Sequence, residues 1–130
     1  MYCLDTNVIM DLFRGDEHIK KRLDFIKRVS GELFITTITL CELFKGAYIS
    51  PKTKEALELI NNFADSVKVA TLDNISAEEF GKEYSRLRKL GKMTNDIDLL
   101  IASIAKSNDL ILVTKNKKHF ENVYIKIEIW

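Results

Sequence analysis

The sequence contains few of the residues that mark linkers or disulfide frameworks. One proline and five glycines in 130 residues leave no Pro- or Gly-rich segment, so we expect a single domain over residues 1–130. The two cysteines, Cys3 and Cys41, are too few for a disulfide framework and have no metal-ligand spacing. Because both lie in apolar segments, we expect both to be small buried core residues.

Long apolar runs and an excess of one charge are also missing. No segment reaches the length of a transmembrane helix, and there is no secretory signal or lipidation site. We therefore expect a cytoplasmic protein without a membrane partner. The net charge of +1 excludes a generally basic protein that coats nucleic acid, so any phosphate binding must come from local clusters of Lys and Arg.

Short apolar strands alternate with amphipathic helices along the chain. The predicted strands are Met1–Leu4, Leu33–Thr36, Val67–Ala70, Leu110–Val113 and a C-terminal segment with Ile125, Ile127 and Ile129. The predicted helices are Thr6–Phe13, Asp16–Val29, one carrying Leu40 to Tyr48, about Thr53–Ala64, one from a Ser76–Glu79 capping box to Gly91, and one carrying Ile97 to Ala105. The run Leu110–Val113, apolar throughout, is typical of an interior parallel strand, and the alternating C-terminal segment suits an edge strand. The pattern predicts an α/β fold, a three-layer α/β/α sandwich with a mainly parallel central sheet of about five strands.

Four carboxylates, Asp5, Glu42, Asp96 and Asp98, lie where an apolar run meets the start of a helix. The carboxyl ends of parallel strands meet at one edge of a sheet, so acids that are far apart in sequence can converge there. Such a cluster repels itself unless hard divalent cations lie among the oxygens. The placement therefore indicates a metal-dependent phosphodiesterase site.

Three of these acids also have a purely structural explanation. Asp5 suits the N-cap of the first helix, and Asp96 suits the N-cap of the last long helix. Thr39 and Glu42 fit the Thr-x-x-Glu capping box, in which the Glu side chain reaches back to a backbone N–H. For these residues the sequence leaves the structural and the metal-binding interpretations open.

Asp98 is harder to explain as a cap. It shares a helical stripe with Ala102 and Ala105, whose small side chains indicate close packing, so this acid should border the buried face. A partly buried carboxylate needs a partner, and no basic residue stands within one helical turn of it. A metal ion would supply that partner.

Basic residues are clustered on both sides of the Asp96–Asp98 segment. They are Arg86, Arg88, Lys89 and Lys92 before it, and Lys115, Lys117, Lys118 and His119 after the interior strand. An acidic centre with basic flanks can hold a polyanion while metal ions act on one phosphate, although any single lysine can equally belong to a solvated face. Neither His18 nor His119 is assigned a chemical role.

The order and spacing of these motifs resemble those of the PIN-domain nucleases, and most closely the VapC-type toxins of toxin–antitoxin modules. The resemblance covers essentially the whole chain. It rests on Leu4-Asp5-Thr6-Asn7, the segment Thr36–Gly46, Gly91 followed by Asp96–Ala102, Leu112–Asn116 with Phe120, and the terminal Ile-Glu-Ile-Trp.

The resemblance implies a Mg²⁺- or Mn²⁺-dependent endoribonuclease on a small α/β/α sandwich. By motif, Asp5, Glu42 and Asp98 match the three acids that bind metal and carry catalysis, and Thr6 or Asn7 would help to hold Asp5 and the site water. The family often has a fourth acid in the segment that begins here at Thr114. This chain has Asn116 at that position, which offers a carbonyl oxygen but no charge, so a second metal is in doubt unless Asp96 compensates.

The implied reaction is in-line attack by a metal-activated water on a phosphodiester of RNA, with tRNA and rRNA as the first substrates to consider. It leaves 3′-hydroxyl and 5′-phosphate ends and needs no protein nucleophile. The implied partners are the RNA substrate, a cognate antitoxin that inserts a segment into the active-site groove, and a second copy of the chain in a homodimer.

Other classes of protein fit the sequence less well. A phosphoryl-receiver domain needs paired acids after its first strand and an acceptor Asp after a middle strand, where this chain has Ala70-Thr71-Leu72-Asp73. A haloacid-dehalogenase-type phosphatase needs Asp-x-Asp where this chain has Asp5-Thr6-Asn7. A solitary RNA-processing nuclease and a non-catalytic RNA- or protein-binding module keep the same fold and stay open.

Overall fold

A parallel sheet forms the centre of the computed structural model, which describes residues 1–29 and 31–130. Within those residues the sheet has five strands: β1 Tyr2–Leu4, β2 Leu33–Thr36, β3 Lys68–Ala70, β4 Ile111–Thr114 and β5 Ile127–Ile129. Their order is β3-β2-β1-β4-β5, and every neighbouring pair is parallel. This confirms the predicted parallel sheet, with β4 in its interior and β5 at its edge.

Helices cover both faces of this sheet. In the described part of the chain there are seven: α1 Thr6–Phe13, α2 Glu17–Val29, α3 Thr37–Ile49, α4 Thr53–Asp65, α5 Asn74–Leu90, α6 Asp96–Ser107 and α7 Lys117–Phe120. Alternate strand residues point to opposite faces, so that Cys3 and Leu112 pack with α5 and α6 while Leu4 and Val113 pack with α1 to α4. The three-layer α/β/α sandwich is therefore confirmed.

The strand order places a topological switch at β1. The chain runs outward from β1 through β2 to β3 on one side, and then returns to place β4 and β5 on the other. The carboxyl ends of β1 and β4 thus flank the crevice in which sheets of this kind bind their ligands. Asp5 follows β1 directly, and Thr114 is the last residue of β4.

Two helices begin earlier than the capping-box patterns predict. Thr36 caps α3, because its Oγ1 accepts a 3.0 Å hydrogen bond from the N–H of Thr39. Glu42 is therefore not the capping-box partner of Thr39, which lies inside the helix. The capping box of α5 is formed by Asp73 and Ser76, and the predicted Ser76–Glu79 pair is wrong for the same reason. In both cases the helix begins three residues earlier than predicted, so that α3 follows β2 directly and α5 follows Asp73 directly.

Thr36→Val is expected to lower the free energy of unfolding by about 1 kcal/mol, because it removes the cap oxygen while keeping the side-chain shape. Urea denaturation followed by circular dichroism measures this loss. The matched control is Thr37→Val, one residue further into α3, where no cap oxygen is removed. Equal stability of the two variants would contradict the assignment of Thr36 as the cap.

Several side chains are more exposed than their patterns predict. Cys3 is buried as expected, but Cys41 is exposed because it lies two residues from both Thr39 and Leu43, on the side of α3 opposite to the buried stripe of Thr39, Leu43 and Ala47. Tyr48 and Ile97, placed on buried helix faces by periodicity, are also exposed. No helix among the described residues is both long and apolar enough to cross a membrane.

Candidate metal and active site

Asp5 is held at the carboxyl end of the central strand by hydrogen bonds to both carboxylate oxygens. Its Oδ1 accepts from the Thr6 N–H at 2.8 Å, and its Oδ2 accepts from the Thr114 hydroxyl at 2.8 Å. The first bond makes Asp5 the N-cap of α1, so the structural interpretation of this residue is confirmed. The same contacts fix the carboxylate at the switch point, where ligands of such sheets bind.

The pKa of Asp5 is raised above its ordinary value of 3.8, mainly because the carboxylate is buried. The two hydrogen bonds lower the pKa, but the negative charges of Asp98 and Glu42 raise it further. Asp5 is therefore close enough to be affected by both of these charges, although the three acids lie in distant parts of the sequence. A cation placed among them would relieve both the burial penalty and the repulsion.

Glu42 is held by a buried chain of threonine hydroxyls. Its Oε1 accepts a 2.6 Å hydrogen bond from Thr6 Oγ1, which is in turn 3.3 Å from Thr39 Oγ1. Thr36 Oγ1 lies 3.3 Å from the same Thr39 oxygen. Thr6 thus links Asp5 through its backbone to Glu42 through its side chain, a connection between α1 and α3 that the sequence patterns do not reveal.

Asp98 lies in the first turn of α6 with a mostly covered side chain. Its Oδ2 accepts a 2.7 Å hydrogen bond from Asn95 Nδ2 and lies 3.0 Å from His119 Nδ1. A partner for this acid was expected to be a metal, since no basic residue is near it in sequence. His119 supplies a protein partner that sequence reasoning missed, and the only available signal was that it follows an interior strand at the same edge of the sheet.

The remaining predicted site residues lie around these three acids. Asp96 is the first residue of α6 and is exposed. The N-cap of this helix is Asn95, so the predicted capping role of Asp96 is wrong. Thr114 is buried and bonded to Asp5, and its Oγ1 also accepts from the Asn116 N–H at 3.1 Å. Beside them is an open depression of about 490 Å³, lined by Asn7, Met10, Asp11, Arg14, Lys115 and Asn116.

The residues present fit a hard divalent cation held partly by water. No group of three or more His, Cys, Asp or Glu side chains in residues 1–29 and 31–130 converges closely enough to enclose a metal by itself. Mg²⁺ does not need such a cage, because it keeps several waters and is bound through one or two carboxylates. Asp5, Glu42 and Asp98 offer oxygen donors of this kind. The observation that favours a cation is that the Asp5 carboxylate is buried and is repelled by the charges of Asp98 and Glu42.

The predicted RNA-binding residues fall into two groups. Arg88, Lys89, Lys92, Lys117 and Lys118 are exposed. Arg86 instead contacts Glu83, the carbonyl of Asn122 and the ring of Tyr124, which favours a structural role. Lys115 pairs with Asp11 at the rim of the depression and holds the pKa of that carboxyl below its ordinary value.

Comparison with known proteins agrees with this fold. The family model for the PIN domain matches residues 2–126. The tRNA(fMet)-specific endonuclease VapC of Shigella flexneri is 30% identical over 131 residues, 99% of this chain and 97% of that protein. Ribonuclease VapC1 of Methanocaldococcus jannaschii is 35% identical over 120 residues, 92% of this chain and 79% of that protein.

Solved structures show the same relationship. The VapBC structure from Salmonella typhimurium, bound to DNA, contains a chain with a TM-score of 0.92 and 30% identity, covering 99% of this chain and 97% of that one. A receiver domain and a haloacid-dehalogenase-type phosphatase are therefore wrong alternatives, and the resemblance found in the sequence is confirmed. The chain belongs to the PIN-domain family, among the VapC proteins.

Proposed function

We propose that this protein is a Mg²⁺- or Mn²⁺-dependent endoribonuclease and the toxin of a toxin–antitoxin pair. The observation that carries the proposal is the buried Asp5 carboxylate at the switch point, whose pKa is raised by burial and by the charges of Asp98 and Glu42. A site that concentrates negative charge in this way is suited to a divalent cation and to a phosphodiester brought in by that cation. The assignment is supported by relatives that are named as a ribonuclease and an endonuclease and that match this chain over nearly their full length.

Each side chain has a defined task in this proposal. Asp5, Glu42 and Asp98 would hold the metal, directly or through its bound waters, with Asp5 oriented by Thr114 and Glu42 by Thr6. When bound, Mg²⁺ or Mn²⁺ supplies a water of lowered pKa and offsets the charge that develops on the phosphate. Asn7 and Asn116 line the depression beside this centre, where their amides can hydrogen-bond the RNA strand. Attack by water in line with the leaving 3′-oxygen gives 3′-hydroxyl and 5′-phosphate ends.

The exposed basic residues are proposed to hold the RNA backbone on either side of the cut. Lys92 precedes α6 and the acids, while Lys117 and Lys118 lie in α7, directly after the strand that carries Thr114. Because the net charge is only +1, binding should depend on this local cluster and weaken steeply with salt.

We further propose a cognate antitoxin and a homodimer as the protein partners. An apolar groove of about 260 Å³ opens beside Glu42, between α1, α3 and α4, and includes Phe13, Leu59 and Ile60. The groove suits an antitoxin segment that reaches toward the acids. Chains similar to this one are found in solved VapBC structures.

The exposed Tyr48 and Ile49 at the end of α3 form an apolar surface that is available for a second copy of the chain. Measuring the mass of the isolated protein by light scattering would test for this homodimer.

The test of the proposed activity is cleavage of mixed tRNA and rRNA by the purified protein. We expect cutting with added Mg²⁺ or Mn²⁺ and none in EDTA, and the new 5′ ends should be sensitive to an exonuclease that requires a 5′-phosphate. Restoring Mg²⁺ after EDTA should restore cleavage, which separates metal removal from unfolding. Equal cleavage in EDTA would contradict the metal-dependent mechanism. If folded protein supplied with metal left all of the tRNA and rRNA intact, a non-catalytic binding module would be favoured.

A further inference from the structure

The Asp98 carboxylate is asymmetric in its contacts. In the described part of the chain its carboxylate has two polar contacts, Asn95 Nδ2 at 2.7 Å and His119 Nδ1 at 3.0 Å, and both are with the same oxygen, Oδ2. The Asn95 amide donates a hydrogen bond to Oδ2, and the His119 imidazole lies within ion-pair distance of the same oxygen, so protein groups cover Oδ2. Among residues 1–29 and 31–130, no hydrogen bond or ion pair involves the other oxygen, Oδ1, which can therefore accept a further group.

The orientation of the Asn95 amide is fixed by a second contact. Asn95 is the N-cap of α6, and its Oδ1 accepts a 2.8 Å hydrogen bond from the Asp98 N–H. The amide oxygen must therefore face the helix, which turns the Nδ2 donor toward the Asp98 carboxylate. One residue thus caps the helix and donates to the acid in its first turn.

His119 is held in place by contacts that do not involve Asp98. Its backbone carbonyl accepts a 2.9 Å hydrogen bond from Thr94 Oγ1, and its backbone N–H donates to the Asn116 carbonyl at 3.1 Å. The next residue, Phe120, is fully buried in the core. These contacts anchor the backbone of His119 on both sides, and the half-exposed imidazole reaches Asp98 from that anchored backbone.

We propose that Asn95 and His119 are positioning residues that together occupy Oδ2 of Asp98 and so present Oδ1 alone to the divalent cation. This inference rests on the proposed function, in which Asp98 is a metal ligand. Partners of a ligating carboxylate fix its rotation, and losing one typically weakens metal binding by about 10–100-fold. The contacts thus favour binding through one oxygen, which suits the near-octahedral geometry that Mg²⁺ demands.

The test compares His119→Leu, which removes the imidazole nitrogen that contacts Asp98, with His119→Asn, whose Nδ2 can occupy nearly the same place as the imidazole Nδ1. The primary measurement is the dissociation constant for Mn²⁺ without RNA, from the electron paramagnetic resonance signal of free Mn²⁺. We expect His119→Leu to weaken Mn²⁺ binding about tenfold, and His119→Asn to restore it. His18→Leu, at an exposed position on α2, is the matched control and should bind like wild type.

Asn95→Ser provides an independent variant, since a serine hydroxyl can still cap α6 but cannot donate to Asp98 in the same geometry. It should weaken Mn²⁺ binding in the same direction, and it decides the question if His119→Leu does not fold. In cleavage assays both variants should need more Mg²⁺ for half-maximal rate, with the rate at saturating metal largely retained. Lower maximal rates with unchanged Mn²⁺ affinity would overturn the inference.

The failure of this inference is distinguishable from the failure of the proposed function. Wild-type protein that neither binds Mn²⁺ nor cuts RNA would refute the metal-dependent nuclease itself. Wild-type protein that binds Mn²⁺ and cuts RNA, together with variants of equal Mn²⁺ affinity, would refute only the positioning role of Asn95 and His119.

Discussion

Asp98→Asn is expected to lower the rate of RNA cleavage by roughly a thousandfold while the protein stays folded. The substitution removes a ligand charge but keeps the size of the side chain and an oxygen that can still accept from Asn95. Metal stabilisation of a developing phosphate charge is worth several kcal/mol, and each 1.36 kcal/mol corresponds to a factor of ten in rate. The folded state should be preserved because Asp98 borders the core without contributing apolar contacts to it.

Single-turnover cleavage at saturating Mg²⁺ measures this loss, with circular dichroism to verify folding. Asp109→Asn is the matched control, because Asp109 has a positive φ of 52° that asparagine also adopts readily, and its side chain is exposed. Asp96→Asn shows whether the exposed acid two residues earlier also binds metal. Cleavage by Asp98→Asn at the wild-type rate would mean that the acids have been assigned wrongly.

Asp5→Asn should have two opposite effects: loss of cleavage comparable to that of Asp98→Asn, and a gain in stability in metal-free buffer. The second effect follows from the direction of the pKa shift. The pKa of Asp5 in the folded protein lies above its ordinary value of 3.8, because of burial and repulsion by Asp98 and Glu42. At pH 7 the ionised carboxylate therefore opposes folding, and a neutral amide removes this opposition.

The pH dependence has a definite sign. A group with a raised folded-state pKa contributes stability that is fully present below its unfolded value and is lost as the pH rises through the folded value. The stability advantage of Asp5→Asn in EDTA should therefore be largest at pH 7 and shrink as the pH falls toward 4, where the wild type binds its own proton. Urea denaturation at several pH values measures the difference.

Added Mg²⁺ should reverse the ranking, since a ligand that binds only the folded state stabilises it and Asp5→Asn has lost a ligand. The gain of the wild type in Mg²⁺ over EDTA is the quantity to compare with that of the variant. A variant less stable than wild type in EDTA at every pH would show that the hydrogen bonds of Asp5 outweigh its burial penalty.

The parts of the site that could be predicted are those written in local patterns. Asp5 was placed correctly because an apolar strand and a helix start meet at that residue. The stripe of Ala102 and Ala105 correctly indicated that Asp98 borders a buried face. Both inferences use periodicities that are set by backbone geometry alone.

The parts that could not be predicted depend on contacts between distant segments. His119 reaches Asp98 from α7, a helix of four residues that is too short to show periodicity. The hydrogen bond from Thr6 to Glu42 spans 36 residues, and the pair of Lys115 and Asp11 spans 104. Local spacing carries no information on such pairs, because they form only when the strands assemble in a particular order.

The caps show a different limit. Thr36 and Thr39 each have a side-chain oxygen that can serve as the N-cap of α3, so two helix starts fit the same segment. The choice between them is made by where β2 ends, which is a tertiary property. Cys41 was misplaced by a related ambiguity, since an apolar neighbourhood does not say which residue of a helix faces outward.

The central position of β1 also determines when the site can exist during synthesis. Asp5 is synthesised well before the group that orients its Oδ2, because that hydroxyl belongs to Thr114, which lies 109 residues later in the chain. β4 must emerge from the ribosome and dock beside β1 before the two can meet, and contacts of such long sequence separation form late in folding. A chain that ends before β4 therefore holds Asp5, Glu42 and Asp98 without the hydroxyl that orients Asp5, and the site is complete only after β4 has been translated and docked.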